Sequence, residues 1–254
     1  MIKLLNTNFH ELFKSRYFYL AMLICAAIGG GLTAAMYLFP NYNMPEDAGV
    51  ILTKGTILGF APGFSTIILP FVAAATVAVL LDSQFRHGIV RNMLTCGHKR
   101  AEIFLANLIT MSAATAIYFV CYQIAVFAVA IFAFGYEGYT LKAAFVSLSV
   151  MLVMLISIST VLSLVLGNFL RNGKPAIIIL VVQYALNLSM LFGMFKHESK
   201  VLSVLASAFP QGCLFDFSYA VIPDGIEKNL IISVVMILVF TVIGLVHFQK
   251  CDIK

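Results

Sequence analysis

Residues 103–134 read IFLANLITMSAATAIYFVCYQIAVFAVAIFAF, thirty-two positions without an Asp, Glu, Lys or Arg. A helix needs about 20 apolar residues to cross the hydrocarbon core of a bilayer, so this run is long enough to span and to tilt or protrude. Five more runs have the same character: Tyr17–Phe39, Phe60–Leu81, Ala143–Leu170, Pro175–Phe195 and Leu230–Phe248. In lipid each backbone amide must be satisfied within its own segment, which makes such runs helices. A barrel strand would instead alternate polar and apolar positions. The expected fold is an all-α integral membrane protein with six transmembrane helices, forming a single domain over residues 1–254.

Composition agrees with the runs. Of 254 residues 61% are hydrophobic and only 11% charged, against about a quarter charged in soluble domains. The formal net charge of +5 raises the question of nucleic acid. It gathers on no soluble face but lies in short gaps between apolar runs, so no nucleic-acid partner is expected. Counting Lys and Arg, eleven fall on the side of the N-terminus, the second and fourth loops and the C-terminus, and five on the other. The positive-inside rule places the eleven, and both termini, in the cytoplasm. The first run is too long for the apolar region of a signal peptide and lacks a small-residue cleavage site, so it is expected to stay as a membrane helix.

Outside the spans, three segments stand out. In residues 1–14, Ile2, Leu5, Phe9, Leu12 and Phe13 recur at helical spacing while Lys3, Asn6, His10 and Lys14 fall elsewhere, which favours a helix lying in the membrane interface over a frayed tail. Residues 196–229 form the longest outer segment, with two short apolar pieces on either side of Pro210, Gln211 and Gly212. That pattern fits a re-entrant hairpin or a small packed extracellular cap. Residues 82–100 form the second cytoplasmic loop, in which Phe85, Ile89 and Met93 recur every four residues beside Arg86, His87 and Arg91, with Gly97 at the end. They predict a short basic amphipathic helix, suited to lipid headgroups or to a groove on another protein.

Candidate chemistry is sparse. No Asp, Glu, Lys or Arg lies within a membrane run, although ion-coupled carriers usually place such residues near the midplane. The five His residues are scattered at 10, 87, 98, 197 and 247 with no ligand pair at helical spacing, and the five Cys show no paired metal spacing, so no metal site is expected. The nearest approach to a phosphate loop, Gly167 to Lys174, has the wrong spacing and carries Pro175 where Ser or Thr belongs. Neither catalysis nor a cofactor is therefore expected in this chain. Among the polar residues in the runs, Gln183 and Asn187 are one turn apart on the fifth helix with Tyr184 and Ser189 near them; Asn107, Tyr122 and Gln123 lie in the third. Interhelical hydrogen bonding accounts for both groups. The sharper reading has Gln183, Tyr184 and Asn187 lining a substrate path.

The stretch Phe85–Leu105, with Gly88, Arg91, Asn92, Leu94, Gly97, Arg100 and Ile103, resembles the cytoplasmic motif of ABC transporter permeases of the type-2 exporter family. The six-helix layout, the interfacial helix and the apolar hairpin before the last helix match as well. Where that family often carries Glu shortly before the glycine, Asp82 and Gln84 flank the place instead. The resemblance implies that residues 82–100 hold a coupling helix seated in a cytoplasmic ATPase subunit. Phe85, Arg86, Gly88, Ile89, Arg91, Asn92, Met93, Leu94, Gly97 and Arg100 would then carry the contact. ATP and Mg would be bound by that partner, and a second permease copy, identical or closely related, would complete the pathway. In size and lack of soluble domains the chain looks most like permeases that export phenol-soluble modulins or lantibiotic-like peptides. That likeness implies a hydrophobic or amphipathic peptide substrate leaving a bacterial cell through its cell membrane. A non-transporting immunity protein that sequesters such peptides is the rival expectation.

Overall fold

The computed structural model describes residues 1–38, 62–134, 140–170 and 226–250. Among the described residues every regular element is a helix: α1 (Ile2–Lys14), α2 (Arg16–Leu38), α3 (Ser65–Arg86), α4 (Ile89–Thr95), α5 (Arg100–Phe134), α6 (Leu141–Leu155), α7 (Leu162–Leu170) and α8 (Ile226–Lys250). A π-helical stretch, Ile156–Val161, joins α6 to α7 in one continuous rod. Five of these elements, α2, α3, α5, the α6–α7 rod and α8, are long and apolar enough to cross a bilayer, as a multi-pass membrane protein requires. The expected fifth span, Pro175–Phe195, lies outside the described residues.

α3 and the α6–α7 rod are the most buried spans, whereas α2 and α8 lie on the periphery. α2 packs along α5, and Gly29 makes the close approach possible: a Cβ there would stand 2.9 Å from the carbonyl oxygen of Tyr122. Without a hydrophobic effect between helices in lipid, such small-residue contacts supply the packing. Hydroxyl groups in the spans mostly turn back to their own helix, as Thr110 does to the carbonyl of Ala106 and Thr33 to that of Gly29. The pair Thr115 and Thr160, 2.7 Å apart, bonds across from α5 to the π stretch. Ser157 and Ser159 in the same stretch donate to the carbonyls of Met154 and Leu155.

Several boundaries differ from the sequence expectation. α3 runs past Leu81 to Arg86, because Asp82 and Arg86, one turn apart and 3.3 Å between charged atoms, continue the helix beyond its apolar run. The rod begins at Leu141, two residues before the apolar run at Ala143. α8 begins at Ile226, so Ile226–Asn229 of the expected outer hairpin belong to the last span. The rest of that hairpin is outside the described residues.

One end of the bundle is basic. The start of α2, the end of α3, the start of α5 and the end of α8 meet there. Arg100 donates to the carbonyl of Gln249 at 2.9 Å, which ties the start of α5 to the last turn of α8. The terminal amine of Met1 stands 4.0 Å from Glu102 at the same end.

Candidate functional site

The segment between α3 and α5 is built on two left-handed glycines. After Arg86, His87 caps α3, its amide reaching the carbonyl of Ser83 at 3.1 Å and its Nδ1 the same oxygen at 3.0 Å. Gly88 then takes φ 64° and ψ 20°, a region that costs an L-residue roughly 1–2 kcal/mol. This glycine ends α3 and begins α4 at once: its amide donates back to Phe85 and its carbonyl accepts from Asn92 at 3.0 Å. Nine residues later Gly97, at φ 87°, closes α4. The amide of His98 reaches Met93 and that of Gly97 reaches Leu94, the two bonds of a Schellman cap. Gly88→Ala and Gly97→Ala should each lower stability by about 1–2 kcal/mol, measured by thermal unfolding in detergent. An unchanged midpoint would mean that the turns relax to other geometry.

This construction corrects the expectation of one amphipathic helix carrying Phe85, Ile89 and Met93. The left-handed glycine breaks the helix between Phe85 and Ile89. Phe85 therefore belongs to the last turn of α3, where it packs half-buried on the core. α4 turns Val90 inward, 2% exposed, with Met93 and Leu94 packed beside it on the same core. Its other side presents Arg91, Asn92 and Thr95, all exposed, and the half-exposed Ile89. The expected residues are thus brought together at the basic end but divided in role. Phe85, Met93 and Leu94 hold α4 to the bundle, and Ile89, Arg91 and Asn92 face away from it. Gly88 and Gly97 set the turns, Arg86 pairs with Asp82, and Arg100 reaches α8. Gln183, Tyr184 and Asn187 lie outside the described residues.

Below α4 lies a cluster of three buried amides. Asn107 on α5 donates to Gln84 Oε1 at 2.7 Å and accepts from Gln84 Nε2 at 3.1 Å. Asn8 on α1 donates to the same Asn107 Oδ1 at 2.8 Å. All three side chains are at most 4% exposed. The cluster pins α1 and α3 to α5 one turn before Gly88, so α1 is held by a polar contact as well as by Leu4 and Leu12, which are buried on the same face. The spacing read from residues 1–14 is corrected accordingly: Ile2 and Phe13 are exposed, and Asn8 points into the protein. Gln84 and Asn107 are individually visible in the sequence as amides at the edges of apolar runs. Nothing local marks Asn8 as their partner, 99 residues from Asn107.

No protein-family model matches the chain, and no curated protein matches it. Its function is therefore argued from the geometry of the basic end. Among the described residues no group of three or more His, Cys, Asp or Glu is placed to hold a metal ion.

Proposed function

We propose that the chain is the transmembrane permease subunit of an ATP-driven ABC exporter that moves hydrophobic or amphipathic peptides out of a bacterial cell. In this reading the basic end is cytoplasmic, a separate ATPase subunit binds ATP and Mg, and a second permease copy completes the pathway. The observation that carries it is α4. It is a two-turn helix set off by glycine turns, with one side fastened to the bundle and the other offering Ile89, Arg91 and Asn92 to a partner. Closure of an ATPase pair against that outer side would load Val90, Met93 and Leu94. Their close packing would pass the displacement into α3 and α5, since packed interiors transmit strain.

The test is co-purification of an ATPase subunit after gentle extraction from native membranes, followed by substrate-stimulated hydrolysis. Ile89→Asp puts an unpaired charge into the contact, at a cost of several kcal/mol. The expected result is that the ATPase dissociates while the permease keeps its fold. Arg91→Ala should weaken association about five-fold, because an exposed pair is worth at most about 1 kcal/mol. Full retention of the ATPase and its stimulation in Ile89→Asp, or a stable native assembly lacking any ATPase, would refute the reading.

A further inference from the structure

A partly open cleft of about 270 Å³ enters the protein between the α1–α2 corner and α3, with α5 behind it. Leu12, Phe18, Leu80 and Met111 wall it, and Ser15 and Ser83 lie at the basic end. From Ser83 the lining descends to Thr76, two helical turns deeper along α3 and about 10 Å by the rise of an α-helix. The cleft thus carries Ser15 and Ser83 at the helix ends, apolar walls between, and Thr76 at the middle of α3. It is far larger than the roughly 30 Å³ a water molecule takes in the liquid.

We infer that this cleft holds one acyl chain of an anionic phospholipid from the leaflet at the basic end. Position and charge select that occupant. The apolar walls run inward from the ends of membrane-length helices, and the exposed ring of Tyr17 lines the cleft. Lys14 and Arg16, both exposed, bracket Ser15 at the rim. Against them stands Glu11, also at the rim, while Asp82 is already paired with Arg86 at 3.3 Å. Two bases against one acid leave a net positive rim, which complements a phosphate-bearing head and opposes a cationic one. The α1–α2 corner is fixed by the Asn8–Asn107 hydrogen bond, so the slot is preformed.

The protein contains no Trp, so a single introduced Trp reports its own surroundings. Tyr17→Trp places the reporter at the cleft and Leu23→Trp at an exposed lipid-facing position on the same helix. The full-length protein, in the assembly in which it is purified, would be reconstituted in mixed phosphatidylcholine and phosphatidylglycerol vesicles, with either lipid brominated as quencher. At equal mole fraction, brominated phosphatidylglycerol should occupy the site at Tyr17→Trp about five-fold more readily than the brominated choline lipid, as one net charge predicts. Leu23→Trp should show no preference, and adding Lys14→Gln with Arg16→Gln should abolish the preference at position 17. Val79→Trp, on the opposite wall, serves as the reporter if Tyr17→Trp fails to fold. Equal quenching by the two lipids at the cleft, or the same preference at Leu23→Trp, would overturn the inference. So would relief of quenching by a cationic amphipathic peptide, which would make the cleft a peptide site.

Discussion

Replacing Val90 with aspartate should unseat α4 and destabilise the protein by several kcal/mol. Val90 is 2% exposed and is the buried residue of the two-turn helix α4. Val90 belongs to the apolar core against which Met93 and Leu94 also pack, and burying an ionised carboxylate there without a partner carries the full desolvation cost. Val90→Ile, which keeps the apolar volume nearly constant, should cost under about 1.5 kcal/mol. Thermal unfolding in detergent distinguishes the two. The comparison with Ile89→Asp is the informative one: adjacent residues, the same introduced charge, but only the Val90 substitution should lower the midpoint of the isolated permease. Equal midpoints for Ile89→Asp and Val90→Asp would mean that α4 is not fastened by Val90.

Asn107→Leu should be nearly as damaging, and its rescue should be the clearer signature. The side chain is close in size, so little volume changes, but Asn8 and Gln84 both lose their partner. Interhelical hydrogen bonds in membranes contribute only about 0.6 kcal/mol on average when both partners can re-form bonds elsewhere. A buried amide left unmade costs more, about 1–3 kcal/mol each. Asn107→Leu is therefore expected to cost about 2–5 kcal/mol and to free α1 for hydrogen exchange. Replacing all three amides by leucine should recover much of that loss, because an apolar set leaves nothing unsatisfied. A triple variant less stable than Asn107→Leu alone would show that the amides contribute favourable bonding beyond mutual satisfaction.

What could be read in advance divides along physical lines. The five described spans were legible because a long apolar run in this composition has one low-energy form, and Ile103 to Phe134 is helical throughout. Gly97 was legible as a helix stop because glycine at that place supplies the left-handed cap. Gly88 was not, because its neighbours Phe85, Ile89 and Met93 continue a four-residue spacing across it, and periodicity does not register a break at one residue. The inward face of α1 was half legible: Leu12 followed the spacing, but Asn8 is polar and looks solvated until Asn107 is placed against it. The π stretch at Ile156–Val161 has no compositional mark, since the serines and threonines within it also occur in ordinary membrane helices.

The amide cluster also bears on the order in which the protein is made. α1 is made before α3 and α5, and its buried partners Gln84 and Asn107 are synthesised 76 and 99 residues after Asn8. Until α5 has entered the membrane, Asn8 has nothing to bond, and α1 must wait at the lipid surface with Leu4, Asn8 and Leu12 uncovered. Docking of α1 thus follows the arrival of α5, although α1 precedes it in the chain.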